Sequence, residues 1–142
     1  MNVPPWALAG AAAAVQRLLP GRGTVPASRL AALPLVALSG WLGAGSLREF
    51  ARARTTFHPS HPHRASALVT TGPNAVTRNP MYLGLAGLLA AHAVARRSPR
   101  AILPVALFVA AVDRWQVPAE ERALAARFED FADYVARVPR WV

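Results

Sequence analysis

Residues 80–117, PMYLGLAGLLAAHAVARRSPRAILPVALFVAAVDRWQV, contain two apolar runs, Pro80 to Ala95 and Ala101 to Val117, joined by the charged link RRSPR. A link that short forces the two runs into an antiparallel helical hairpin. Two more apolar stretches precede it, roughly Val3 to Leu19 and Leu30 to Leu47. Each of the four falls a little short of the ~20 residues that cross a bilayer unaided. The shortfall is tolerable where flanking arginines snorkel and Trp6, Trp41 and Trp115 sit near the interfaces. The first stretch is the weakest of the four, because Gln16 and Arg17 interrupt it.

After Pro118 the pattern changes. Leu124, Phe128, Phe131, Val135 and Val138 recur at spacings of three and four, with arginines and acids on the other faces, which describes an amphipathic helix on the membrane surface or against the bundle. The expected architecture is therefore one all-α membrane domain over residues 1–142. It divides into two N-terminal membrane helices (1–47), a cytosolic loop (48–79), a helical hairpin (80–117) and an amphipathic C-terminal helix (118–142), with about four transmembrane helices in total.

Composition agrees with lipid contact: 54% of the 142 residues are hydrophobic, although the chain carries a formal charge of +9. All sixteen basic residues are arginine, grouped between the apolar runs, a pattern that suits membrane loops rather than a nucleic-acid face. No basic helix interleaved with stacking aromatics is present, so nucleic acid is not expected as a partner. With both termini cytoplasmic, ten arginines fall inside and six outside, so the positive-inside rule favours that orientation, in a bacterial inner membrane. The N-terminal run lacks the positive leader of a signal peptide and reads as retained. Cysteine is absent, which excludes disulfides, thiolate catalysis and cysteine-ligated metal.

The long polar segment feeds a junction at Arg78, Asn79 and Pro80. Asparagine before proline is a strong helix start, and Arg78 at the positive end of the helix dipole makes sense if an anion is shared between them. Snorkelling to lipid phosphates is the alternative reading for Arg78. One turn on, Gly84 and Gly87 leave a slot with Tyr82 at its mouth, for a ligand or for ordinary helix packing. At the other helix start, Glu120 and Glu121 have no basic residue three or four positions away, whereas Arg127 has Asp130 and Asp133 has Arg137. Asp113 and Arg114 lie beside the apolar run, where ionisable residues mark a site or an internal pair. Unpaired acids near one helix end and a cation at another together suit a zwitterion.

Four pieces of this sequence, LVTTGP (68–73), RNPMYLG (78–84), PAEERAL (118–124) and the tail F-x-x-Y-x-x-x-VPRW ending at Trp141, resemble the isoprenylcysteine carboxyl methyltransferase and phospholipid methyltransferase group of integral membrane methyltransferases. The resemblance covers roughly Thr55 to Val142. It implies a helical membrane enzyme that binds S-adenosylmethionine in a cytosol-facing pocket. Carried over by position, it implies cofactor contacts at Leu68, Val69, Asn74, Asn79, Pro80, Met81, Tyr82 and Glu120, with Arg78 and Glu121 also matching the motifs. Arg114 and Gln116, near the spacing of a substrate-carboxylate arginine in the eukaryotic relatives, and the Gly84 and Gly87 slot are the substrate-side candidates. Tyr82 and Glu121 are the catalytic candidates.

The chain departs from the family pattern at Ser66, Asn74, Asn79 and Glu129, which bears on the acceptor more than on the cofactor. A lipophilic carboxylate is the first acceptor expected. A phospholipid amine, or a non-catalytic membrane scaffold of the same fold, is the alternative. No G-x-G-x-x-G follows a strand pattern, so a soluble dinucleotide-type site is not expected. His58, His61 and His63 invite a metal reading, but the prolines between them describe an exposed loop, and no metal is expected. His92, close to Arg96, reads as packing or headgroup contact.

Overall fold

A computed structural model describes residues 3–55 and 64–142; the loop histidines His58, His61 and His63 lie outside the described residues. The described chain is helical, with no strand among the described residues. Its elements are α1 (Pro5–Leu18), α2 (Pro26–Arg52), a 3-10 turn (Gly72–Ala75), α3 (Pro80–Ala95), a 3-10 turn (Pro99–Ala101), α4 (Ile102–Ala111), a π-helical segment (Val112–Gln116), α5 (Val117–Ala125) and α6 (Phe131–Arg137). Pro5, Pro26 and Pro80 open their helices, where proline's fixed φ is already helical and its missing N–H costs no bond.

α3 is the central helix, packing against α1, α2 and α4. Its apolar residues surround it on every side, as a helix enclosed by neighbours requires. Ala9 of α1, Tyr82, Ala86 and Leu89 of α3, and Phe108, Val112 and Val117 along the last long helix form one buried cluster. Gln16, which interrupts the first apolar stretch, is fully buried: its Nε2 donates to the carbonyls of Leu89 (3.0 Å) and Ala101 (2.7 Å), and its Oε1 accepts from His92 Nδ1 at 2.8 Å. The interruption is thus a polar tie between three helices.

The expectation of four transmembrane helices is corrected to two candidate spans. By length and composition, Pro26–Arg52 and Pro99–Ala125, 27 residues each, can cross a membrane. Only 22% and 33% of their apolar windows are buried inside the protein, so most of that surface faces outward. At 1.5 Å per residue, α1 and α3 reach only ~21 and ~24 Å, less than the ~30 Å hydrocarbon core. α2 also runs past the expected end at Leu47 to Arg52.

The expected boundary at Pro118 is corrected as well. Proline removes a donor and crowds the carbonyl four residues earlier, yet the helix continues through it, because the wider π turn Val112–Gln116 stands where the α-helical bond would fail. The break falls instead at Ala126–Asp130 and divides the C-terminal segment into α5 and α6. As a result the inward residues are Phe131, Tyr134 and Val138, packed with Leu68, Leu124 and Phe128, while Val135 is exposed.

The Gly84 position is a close approach of α3 to α2. A Cβ there would lie 3.0 Å from the Ser39 carbonyl oxygen and 3.4 Å from the Gly43 nitrogen, and one at Gly87 would overlap Ser39 Oγ. Gly84→Val is therefore expected to cost about 1–3 kcal/mol by overpacking, read as an apparent melting temperature several degrees lower in detergent.

Candidate active site

The 3-10 turn, the start of α3, the end of α2 and the start of α5 meet around a polar chamber of about 90 Å³. Ser46, Phe50, Asn74, Arg78, Asn79, Pro80, Met81, Tyr82 and Glu120 line it. Gly72 opens the 3-10 turn at φ 58°, and a Cβ there would meet the Glu49 side chain at 2.8 Å. Thr71 Oγ1 donates to Glu49 Oε2 at 2.5 Å, which ties this turn to α2. Asn74 is buried: its Oδ1 accepts from Ser46 Oγ at 2.8 Å, and its carbonyl accepts from the Tyr134 hydroxyl at 2.7 Å. Burial pushes that hydroxyl up to about 12, so it remains a proton donor at any working pH.

The two glutamates have different surroundings. Glu120 accepts from the Tyr82 hydroxyl and, at 2.8 Å, from Gln116 Nε2, and it pairs with no cation among the described residues. Glu121 is turned away from the chamber and held by two arginines, Arg78 Nη2 at 2.8 Å and Arg140 Nη2 at 2.6 Å. The unpaired state expected of both acids is corrected for Glu121: its partners lie 43 and 19 residues away, beyond any local spacing rule.

Arg140 belongs to a C-terminal strap. It also meets Asp113 at 3.3 Å, and Trp141 Nε1 donates to the same Asp113 oxygen at 2.9 Å. From the other side, Arg78 donates through its backbone to Pro139 (2.9 Å) and through Nη1 to Val138 (2.5 Å), while Thr77 Oγ1 and Asn79 Nδ2 both reach the Arg140 carbonyl at 2.9 Å. Asn79 therefore holds the strap and does not cap α3, whose start has no side-chain cap. Arg78, which also lines the chamber, is engaged by Glu121 and by strap carbonyls.

A second chamber, about 310 Å³ and apolar, adjoins the first. Pro4, Pro5, Trp6, Ser39, Gly43, Leu47, Met81, Tyr82, Gly84, Leu85 and Leu88 line it, so Met81 and Tyr82 form the shared wall. Among the described residues no charged side chain lines it.

The structure thus gathers Asn74, Arg78, Asn79, Pro80, Met81, Tyr82 and Glu120 at one chamber, with Gln116 bonded behind Glu120 and Glu121 behind Arg78. Leu68 packs in the α6 cluster and Val69 is buried, but neither lines a chamber; Arg114 is exposed and Gly87 packs on Ser39. Ser46, Phe50, Asp113, Arg140 and the apolar wall from α1 and α2 were not singled out as site residues by the sequence. Asp113 gave a signal, as an ionisable group beside an apolar run, and Arg140 gave one by lying in the VPRW tail.

The phospholipid methyltransferase family model matches residues 27–130, from the first turn of α2 to the residue before α6. The chain belongs to the phospholipid methyltransferase family. Membership implies methyl transfer and, with the two apolar helices, membrane association. No curated protein and no solved structure matches the chain. The family match ends before the strap, so the clamp formed by Arg140 and Trp141 lies beyond it.

Proposed function

We propose that the protein is a membrane-embedded, S-adenosylmethionine-dependent methyltransferase acting on a lipid-borne amine, its site facing the cytoplasm of a bacterial inner membrane. The observation that supports this most is the junction at Tyr82 and Met81, where a small polar chamber opens beside a larger apolar one. The donor set fits the amino-acid end of the cofactor. Glu120 is a carboxylate with neutral donors and no cation, ready for an ammonium, and the uncapped first-turn amides of α3 at Met81 and Tyr82 suit a carboxylate. The apolar chamber has a volume within the ~300–1,000 Å³ typical of small-molecule sites and suits the acceptor's lipophilic part.

When bound, the sulfonium supplies the methyl group for an in-line displacement. The protein's own part is alignment and exclusion of water. Tyr82, whose hydroxyl proton is committed to Glu120, presents its oxygen lone pair at the junction, where it can accept from an amine N–H and orient the nitrogen. Glu121, neutralised by two arginines and outside the chamber, is a poor base and serves the strap.

An amine is favoured over the carboxylate first expected, because among the described residues no free cation awaits a carboxylate: Arg78 is engaged, Arg114 is exposed and away from both chambers, and Gln116 donates to Glu120. The test is methyl transfer from radiolabelled S-adenosylmethionine to a membrane lipid extract by the detergent-purified protein. Label that enters the organic phase and releases no volatile methanol on mild alkaline hydrolysis is the expected result. Label released as methanol would assign an ester and overturn the amine, and cofactor binding without transfer would leave a scaffold.

A further inference from the structure

The bundle end remote from the chambers carries arginine without acid. Arg17, Arg22, Arg29, Arg96, Arg97 and Arg100 fall where α1 meets α2 and α3 meets α4, whereas all seven acids stand at Glu49 or from Asp113 onward, toward the other ends of those helices. The two links are knitted together. Ser98 Oγ donates to the Pro20 carbonyl at 2.5 Å, Arg96 Nη2 to Leu19 at 3.1 Å, and Arg97 to Gly23 (3.1 Å) and Arg22 (2.6 Å). Arg97 holds this arrangement at φ 51°, a left-handed conformation that side-chain-bearing residues avoid.

Beside this knot lies a groove of about 400 Å³. Its surface is almost wholly apolar, from Ala93, Val94, Pro99 and Ile102, with Arg22 and Arg97 also among its lining residues, and Val94 and Ile102 lie 36% and 49% exposed. The Arg22 guanidinium is exposed, with no partner among the described residues.

We infer that this groove binds one anionic phospholipid, its phosphate beside Arg22 and Arg97 and its acyl chain along Val94 and Ile102. A free phosphate would leave the apolar lining uncovered. A zwitterionic lipid would bring a cation among six arginines with no acid to receive it, and so loses the electrostatic advantage. An anionic lipid satisfies both parts of the groove. The assignment rests on membrane association and not on methyl transfer.

The full-length protein in neutral detergent is titrated with dioleoylphosphatidylglycerol and with dioleoylphosphatidylcholine, and bound lipid is counted by native mass spectrometry. The expected result is one saturable phosphatidylglycerol bound at least tenfold more tightly than phosphatidylcholine. Arg22→Glu, an exposed position, is expected to lose at least tenfold of that affinity, with Arg22→Gln intermediate, and Val94→Trp to lose it by filling the groove. Equal binding of the two lipids, undiminished binding in Arg22→Glu, or undiminished binding in Val94→Trp would overturn the site. Displacement by millimolar inorganic phosphate would reassign it to free phosphate. The count needs no catalysis, so failure of the enzymatic reading leaves this result interpretable.

Discussion

Glu120→Gln is expected to weaken S-adenosylhomocysteine binding about 100-fold while leaving the protein folded. The substitution keeps the oxygen that accepts from the Tyr82 hydroxyl and from Gln116, so the packing at the head of α5 has no reason to change. What it removes is the only carboxylate of the chamber that pairs with no cation among the described residues. Hydrogen bonds to charged groups are worth about 1.5–3 kcal/mol, and a ligand ammonium left in a half-buried chamber without its counter-charge lies at the upper end, near the ~2.7 kcal/mol of a 100-fold loss. Titration calorimetry on both proteins, with apparent melting temperatures within a few degrees of each other as the control on folding, reads the difference. Affinity retained within threefold would place the ammonium elsewhere and remove Glu120 from the cofactor site.

The contrast between the two adjacent glutamates shows how far the sequence carried. Local patterns were legible: the two apolar runs around RRSPR are helical and pack together, proline opens α3 where Asn79 and Pro80 marked a helix start, and Asn74 and the motif residues Arg78 to Tyr82 line one chamber with Glu120. What was not legible depends on distance along the chain. Rules of three and four positions describe one helix surface, so they left Glu121 unpaired, although its arginines arrive from the start of α3 and from the tail. Pro118 read as a boundary because the apolar pattern changes after it, yet the helix continues through the π segment before it into α5. Ser46 and Gly43 reach the chambers from α2, which lies ahead of the four motifs, and no periodicity in α2 sets them apart from its other small residues.

Glu121→Ala is expected to lower the apparent melting temperature by about 10 °C, the largest loss of any single side chain in the strap. Glu121 is the point where the chain is clamped: its Oε1 accepts from Arg78 Nη2 and from Arg140 Nε, and its Oε2 accepts from Arg140 Nη2. The Arg78 side chain is only 11% exposed, so removing Glu121 leaves a nearly enclosed guanidinium with strap carbonyls alone. Breaking a buried pair this way costs about 3–5 kcal/mol. The lower end applies, because the Arg140 side chain is 35% exposed, screened by solvent, and retains Asp113. About 3 kcal/mol in a chain of this size corresponds to roughly 10 °C. Arg140→Ala should cost less for the same reason of exposure, and Arg78→Met with Glu121→Leu should recover part of the loss by removing both charges together. The strap also fixes Thr77 and Asn79, the residues that lead into Met81 and Tyr82, so the single variant should weaken S-adenosylhomocysteine as well, through position and not through contact. Partial recovery of binding in the double variant, alongside recovery of stability, would separate that positioning effect from the direct effect at Glu120. A melting temperature unchanged within about 2 °C in Glu121→Ala would show that the strap is held without Glu121, by its bonds to Thr77, Arg78, Asn79 and Asp113.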